Sequence, residues 1–463
     1  MIAALGGLLF GYDTAVISGV VGAIDHNFIT PRGLSETAAN TLSGAVISCA
    51  LIGCFVGGLL AGPTSSKLGR RGGLFVAALL FFFSSLGSAF PEFILGEVGK
   101  MGPDALTPFI IYRFFGGIGI GLASMLSPMY IAEIAPPSKR GSLVTYQQIA
   151  IVGGILLVDA VNWYIVDIAG HGDKTWLLNT GWRYMLASCA IPAGLFFALL
   201  FTVPETPRWL VMKGRQDDAN KVLAKLTTPA EAQVVRGEIE SSLRERGGKL
   251  MAFGAFVLVV GVMLSVFQQL VGINAVLYYG PTMFENMGMT NPHVQNVIVG
   301  ATNVLFTLVA LVTVDRWGRK PLLILGAVMM ALSMTTLGFL FSSHNLGTFA
   351  VLTVLFYIAG FALSWGPVVW VLLAEIFPNA VRSKLMAIAV AAQWFANFLV
   401  STSFKVLDGS SVLNAQFNHG FAYWMYGAFS ILAALFVWKY VPETKGRTLE
   451  DIQHLWKPVE KVS

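Results

Sequence analysis

The sequence predicts an all-α integral membrane protein with twelve transmembrane helices in two six-helix halves, joined by a short cytoplasmic helical linker. Three observations carry that reading. Of 463 residues, 55% are hydrophobic and only 12% are charged, with a mean hydropathy of +0.70. A soluble domain carries roughly 25% charged residues, so this chain cannot cover itself against water. Charge-poor apolar stretches long enough to cross a ~30 Å hydrocarbon core recur along the chain. Finally, three charged motifs appear in the same order in both halves. The balance excludes a soluble enzyme, a disordered scaffold and a secreted disulfide mini-protein. The 33 phenylalanines and 49 glycines suit helices packed closely inside lipid.

The chain opens on Met1-Ile2-Ala3-Ala4-Leu5 and runs directly into apolar residues, without the basic lead or cleavage site of a signal peptide. It reads as a first spanning helix whose cytosolic lead is short or trimmed. Span 1 is expected at 2–24, span 2 at 40–66, span 3 at 72–91, span 4 at 107–132, span 5 at 141–167 and span 6 at 183–203. A polar segment follows at 205–249, whose mixed charge and helical spacing read as short amphipathic helices over 216–226 and 229–245. Such a segment suits a solvated linker as well as a docking platform. Span 7 is expected at 250–284, span 8 at 286–314, and span 11 at 385–404. The stretch 321–374 holds spans 9 and 10, broken near Ser342-Ser343-His344-Asn345, and span 12 covers 409–438. The domains are therefore 1–204, 205–249, 250–442 and a tail at 443–463.

Lys and Arg crowd every second loop, at 67–71, 139–140, 208–249, 316–320 and 382–384, and the tail from Lys439. The alternate loops hold few, namely Arg32, Lys100, Lys174, Arg183 and Lys405. The positive-inside rule puts both termini and the linker in the cytoplasm. Orientation, not nucleic-acid binding, accounts for the net charge of +5. Cys49, Cys54 and Cys189 form an odd set in apolar runs and read as packing residues. His26, His171, His293, His344, His419 and His454 sit in loops, near span ends or in the tail, without metal spacing. Neither a catalytic cluster nor a metal or cofactor site is expected.

The repeat has a period of about 240 residues. Gly69-Arg70-Arg71 follows span 2 and Gly318-Arg319-Lys320 follows span 8. Glu133 and Arg140 bracket six residues after span 4, and Glu375 and Arg382 do so after span 10. Pro204-Glu205-Thr206 closes span 6, and Pro442-Glu443-Thr444 closes span 12. The orientation rule explains the bases but not glutamates at matched places. Ionised groups at helix ends can pair, each pair contributing ~0–1 kcal/mol when wet, and several together can latch one conformation. Arg70, Arg71, Glu133, Arg140, Glu205, Arg319, Glu375, Arg382 and Glu443 are the candidates for this cytoplasmic gate.

Polar side chains inside lipid are costly and mark function. Span 7 carries Gln268, Gln269 and Asn274, span 5 carries Gln147 and Gln148, span 8 carries Asn303 and span 11 carries Gln393. Amides donate and accept, as sugar hydroxyls do, and bury no charge. Trp370, Trp394, Tyr278, Tyr279 and Phe10 offer flat apolar faces for the C–H side of a pyranose. Interhelical hydrogen bonding is the other use of such amides. Asp13 in span 1 and Arg113 in span 4 are deep charges, each costing ~2.5–3.5 kcal/mol to insert alone, so they are expected to pair. A carboxylate moved away from its arginine takes up a proton. Asp159 in span 5 has no evident basic partner and is expected to reach the outer surface, with no assigned role. Gly117-Ile118-Gly119-Ile120-Gly121 lies mid-span and reads as a close-packing face, not a nucleotide loop. Gly366-Pro367 predicts a kink in span 10.

Repeated G-R-[RK], E-x6-R and P-E-T motifs on a 6+6 chain resemble the sugar porter family of the major facilitator superfamily. The likeness runs from Gly6 to about Trp456 and includes Pro204-Glu205-Thr206-Pro207-Arg208, Gln268-Gln269, Gly272-Ile273-Asn274 and Pro442-Glu443-Thr444-Lys445-Gly446. Within the family, the bacterial D-xylose–proton symporters and the glucose facilitators are the most similar. The resemblance implies alternating access, with Gln148, Gln268, Gln269, Asn274, Trp370 and Gln393 at sugar-contacting positions; Asn303, Trp394, Tyr278 and Phe10, from their chemistry, and Ile155 are the further candidates for the substrate site. It implies proton coupling through Asp13, tuned by Arg113. Ile155 stands where the xylose symporters carry Gln, and Cys189 where they carry a second carboxylate. The expected activity is monosaccharide (D-glucose or D-xylose)–proton symport in the bacterial inner membrane by a monomer. A passive glucose facilitator and a transporter-like sugar sensor are the alternatives.

Overall fold

The computed structural model describes residues 2–93, 102–135, 140–226, 255–377 and 381–446 and parts of 232–239, with the backbone alone for 140–145 and 383. The expected linker helix over 229–245, the tail beyond 446, Lys100 and the Arg140 side chain lie wholly or largely outside the described residues. Among the described residues the chain is nearly all helical, and eleven helices are long and apolar enough to cross a membrane.

One of the eleven, Glu36–Ala89, has 54 residues, but Gly69 interrupts it at φ 86° and ψ 176°. At 1.5 Å per residue it extends for about 80 Å, more than twice a hydrocarbon core. It is therefore spans 2 and 3, and the chain makes twelve crossings. Gly318 (φ 94°, ψ 166°) separates span 8, Pro292–Trp317, from span 9, Arg319–Ser342, with nearly the same backbone geometry. Span 4 is Leu106–Ile134 and span 5 begins with Arg140–Trp163. Span 11, Arg382–Asp408, runs four residues past the expected end. Residues Ser411–Phe417, expected inside span 12, form a separate short helix. Asn418 and His419 both adopt positive φ (43° and 67°), which ends that helix, and span 12 is Gly420–Tyr440.

Two spans are broken near mid-depth. Span 7 comprises Ala255–Leu270 and Ile273–Asn286, divided at Gly272 in the left-handed region (φ 93°). Span 10 comprises Thr348–Leu363 and Trp365–Ile376, divided at Ser364 (φ −134°, ψ −84°). Pro367 lacks the N–H that would bond the Leu363 carbonyl four residues back, which explains a break upstream of the proline. Glycines bring spans 2 and 4 together: a Cβ on Gly117 would lie 1.9 Å from the Ala50 carbonyl oxygen, and one on Gly121 would lie 2.3 Å from that of Cys54. The Gly-x-Gly-x-Gly run is a packing face.

Gly69 and Gly318 mark one end of the molecule, the basic face, and the other end is the opposite face.

Candidate functional site

The matched motifs build the same clasp twice at the basic face. Glu205 accepts hydrogen bonds from the backbone N–H groups of Arg70 (3.1 Å), Arg71 (3.0 Å) and Thr206 (2.8 Å). Glu443 accepts from those of Arg319 (3.1 Å), Lys320 (3.0 Å), Thr444 (2.9 Å) and Lys445 (2.8 Å). Each glutamate thus caps the N-terminus of the helix that starts after the glycine, where unpaired N–H groups and the helix dipole favour an anion. A Cβ on Gly69 would lie 2.1 Å from Glu205 Oε2, and one on Gly318 would lie 2.6 Å from Glu443 Oε2. The glycine therefore supplies both the left-handed turn and the room for the cap. Burial pushes the Glu205 carboxyl above its ordinary range, against the lowering effect of those N–H donors.

The arginine beside each glycine completes the clasp. Arg70 Nη2 pairs with Glu133 Oε1 at 2.7 Å, and Arg319 Nη2 pairs with Glu375 Oε1 at 2.8 Å. Arg71 Nε donates to the Leu200 carbonyl (2.9 Å), and Arg382 Nε donates to the Phe377 carbonyl (3.1 Å). These gate candidates meet within one half. Between described residues at the basic face, the ion pairs and side-chain hydrogen bonds stay inside a half or join it to the adjoining linker. The contacts that join the halves are elsewhere.

At the opposite face, Lys405 Nζ meets Asp25 Oδ2 at 2.8 Å and Lys174 Nζ meets Glu285 Oε1 at 2.7 Å. Asn40 donates to the Gly409 carbonyl (2.9 Å), and Glu36 accepts from the Ser411 N–H (2.5 Å). Deeper in the same seam, Ser48 and Thr402 hydroxyls are 2.6 Å apart, and Asn296 donates to Asp159 at 2.6 Å. Asp159 is 2% exposed, so the expectation that it reaches the outer surface is corrected. Its side chain points into the joint between spans 5 and 8, where span 8 has Gly300 against it.

At the centre the halves differ. In the first, Arg113 Nη1 donates to Asp13 Oδ1 at 3.0 Å and both side chains are buried. The expected pair forms across 100 residues of sequence. Cys189 is buried beside Asp13. A small cavity lined by Arg113, Thr14, Ile47 and Tyr278 has about 10 Å³ for a water-sized sphere, near the minimum for one water.

In the second half, neutral amides form a chain. Asn274 donates to Gln269 (2.5 Å), Gln269 to Gln268 (3.4 Å), and Gln268 to the carbonyls of Trp365 (2.7 Å) and Gly366 (3.3 Å). The Tyr357 hydroxyl donates to the Val271 carbonyl at 2.9 Å. Each broken span thus donates a side-chain hydrogen bond to a backbone carbonyl near the break in the other, and for Val271, which lies in the break itself, this supplies a partner in place of a helical one. Irregular backbone at membrane depth requires such partners.

Among the described residues, Gln393 Oε1 and Trp394 Nε1 of span 11 and Gln147 Oε1 of span 5 are buried without hydrogen-bond partners. Phe10 of the first half meets Trp394 of the second at a ring-centroid distance of 5.3 Å. Asn303 and Ile155 are buried, and Gln148 and Trp370 are partly exposed. Asn397 is a polar residue the sequence reading passed over. It donates to the Tyr278 hydroxyl (3.5 Å) and accepts from Ser401 (3.0 Å). Its spacing of four from Gln393, one helical turn, was the available signal.

Residues 1–456 match the family model "Sugar (and other) transporter". The chain is 53% identical to the D-xylose-proton symporter of Escherichia coli (strain K12), covering 100% of this chain and 96% of that one. It is 46% identical to the glucose facilitated diffusion protein of Zymomonas mobilis, covering 99% and 96%. The inward open conformation of the xylose transporter XylE from E. coli superposes with a TM-score of 0.88 at 51% identity, over 98% of both chains. On these grounds the chain belongs to the sugar transporter family.

Proposed function

We propose that the chain is a monosaccharide–proton symporter of the bacterial inner membrane, carrying D-xylose or D-glucose by alternating access. The observation that carries this reading is the unequal centre: a buried Asp13–Arg113 pair in one half faces broken helices and an amide chain in the other. Asp13 binds the proton, and Arg113 stabilises the ionised form when the two are in contact. Gln268, Gln269 and Asn274 recognise hydroxyls, and Gln148 reaches in from the first half. Gln393 Oε1, Trp394 Nε1 and Gln147 Oε1 are hydrogen-bonding groups with no partner among the described residues, which a hydroxylated ligand would satisfy. Asn303, Trp370, Tyr278, Phe10 and Ile155 complete the wall.

The units are 1–204, 205–249, 250–442 and 443–463, with the basic face and both termini in the cytoplasm. In that orientation the described contacts close the outside and leave the inside unjoined, in keeping with the likeness to an inward open relative. The protein acts as a monomer in the bilayer, with sugar and proton as its partners and no enzymatic step. Passive glucose diffusion is the second reading, favoured by the buried apolar Ile155 and Cys189 and by the facilitator relative.

Uptake of D-xylose and D-glucose into proteoliposomes under an inward proton gradient decides between them. Symport requires accumulation beyond equilibrium that collapses with a protonophore. Uptake that only equilibrates, gradient or not, makes the protein a facilitator and reduces Asp13 to a structural ion pair.

A further inference from the structure

Asp159 is a buried carboxyl that the reading above does not use. It sits within span 5, 2% exposed, in the seam where the two halves meet. Among the described residues no basic side chain ion-pairs with it, and its hydrogen-bond donor is the neutral Asn296 amide of span 8, Nδ2 to Oδ1 at 2.6 Å. The titratable or charged groups on the elements packed against it are otherwise engaged or distant. Span 1 brings Tyr12, bonded to Ser188, and Asp13, paired with Arg113 of span 4. Span 8 brings His293, one turn outward of Asn296, and Asp315 and Arg316 at its far end. Span 4 also carries Tyr112, Tyr130 and Glu133, the last of these paired with Arg70. Asp167 lies at the outer end of span 5 itself.

An ionised carboxylate shut in such a place, with one neutral donor, is expensive. The second observation concerns acceptors. Asn296 is 4% exposed and its Oδ1 is buried with no donor. It sits on the same amide whose Nδ2 already touches Asp159. A carboxylate cannot satisfy that oxygen, whereas a carboxylic acid can, by donating its O–H while its carbonyl keeps accepting from Nδ2. The backbone approaches both groups closely. A Cβ on Gly280 would lie 2.1 Å from Asn296 Oδ1, and one on Gly300 would lie 3.0 Å from Asp159 Oδ2.

We propose that Asp159 is a second proton-binding site, whose carboxyl must be neutral for the seam between spans 5 and 8 to close. Under the alternating-access reading, parting of the halves at the opposite face admits water to Asp159. The carboxylate takes one proton from the outer phase, an O–H bond forms on Asp159, and that O–H donates a hydrogen bond to Asn296 Oδ1 as the seam shuts. On reopening the proton returns to the outer water. Outer pH therefore controls closure separately from the proton that Asp13 carries.

Infrared spectroscopy of the purified full-length protein at neutral pH tests this directly. A protonated-carboxyl C=O band is expected, lost in Asp159→Asn, kept in Asp13→Asn and shifted in frequency in Asn296→Ala. A spectrum unchanged by Asp159→Asn, or by Asn296→Ala should the first variant misfold, overturns the proposal. Sugar counterflow in proteoliposomes gives the functional arm. Wild-type exchange should fall by about tenfold per unit of external pH above its midpoint, the slope of one bound proton, and Asp159→Asn should lose that alkaline limb. An identical limb in both overturns the gating role. If no sugar moves in any vesicle, the function proposed above fails, yet the infrared band still decides the protonation of Asp159.

Discussion

The two halves share one clasp and differ in their centres. At the basic face, Glu205 and Glu443 cap the helices after Gly69 and Gly318, and Arg70–Glu133 matches Arg319–Glu375 in partners and length. At mid-depth the first half buries an ion pair, Asp13–Arg113, whereas the second buries neutral amides against two broken helices. A duplicated frame has thus kept the part that holds helix ends together and varied its centre, the part proposed above to meet sugar and proton. An ion pair suits proton binding because its charge state changes with separation. Amides suit hydroxyls because they donate and accept without changing charge.

The sharpest way to break this division is to exchange the losses. Asp13→Asn should abolish accumulation altogether, bringing internal and external sugar to equality under a proton gradient while counterflow survives. Gln268→Ala should do the reverse, weakening sugar binding by about 10–100-fold, since it removes a hydroxyl partner and the hydrogen bond that holds span 7 to the Trp365 carbonyl. Isothermal titration of sugar binding, run beside proteoliposome uptake, reads both. Should Asp13→Asn lose binding, or Gln268→Ala lose only coupling, the division of labour between halves is wrong. A smaller effect is expected from Tyr357→Phe, which leaves the Val271 carbonyl unsatisfied and costs ~1–3 kcal/mol. It should lower thermal stability in detergent and weaken sugar binding less than Gln268→Ala does.

Much of this frame was legible from residues alone. Twelve crossings follow from hydropathy, and the repeated motifs give the two halves. The Asp13–Arg113 pair follows from the cost of lone charges in lipid, although 100 residues separate the partners. What escaped were facts about which helix faces meet. Apolar residues are spread around all sides of spans such as Leu106–Ile134 and Pro292–Trp317, so no single stripe marks a buried face. Nothing in the string Leu156–Val158–Asp159 therefore says that the carboxyl points at span 8. The gate glutamates were recognised as matched charges, but their service as helix caps depends on a turn at Gly69 that brings distant Glu205 within reach. Span 12 is shorter than its apolar stretch because apolar content cannot register two successive left-handed residues, Asn418 and His419.

The clasps offer the finest test of the likeness between halves, through the cap rather than the ion pair. Glu205→Ala and Glu443→Ala should destabilise the protein by similar amounts, ~1–2 kcal/mol each, because each removes an N-terminal anion and its hydrogen bonds. For Glu205 the sign of the pH effect can be worked out. Burial raises its carboxyl above the ordinary 4.5 in the folded protein, so in the window just above 4.5 the folded state binds more protons than the unfolded state. Stability contributed by that proton is present below 4.5 and declines as pH rises through the raised value. Glu205→Gln keeps an acceptor for the Arg70 and Arg71 N–H groups but cannot titrate, so it should flatten this decline. For a chain of this length the difference is small, about 1 °C in Tm per kcal/mol. Thermal unfolding in detergent at closely spaced pH values measures it. Identical wild-type and Glu205→Gln profiles would mean that the buried cap does not change its protonation on folding, leaving its hydrogen bonds as its whole contribution.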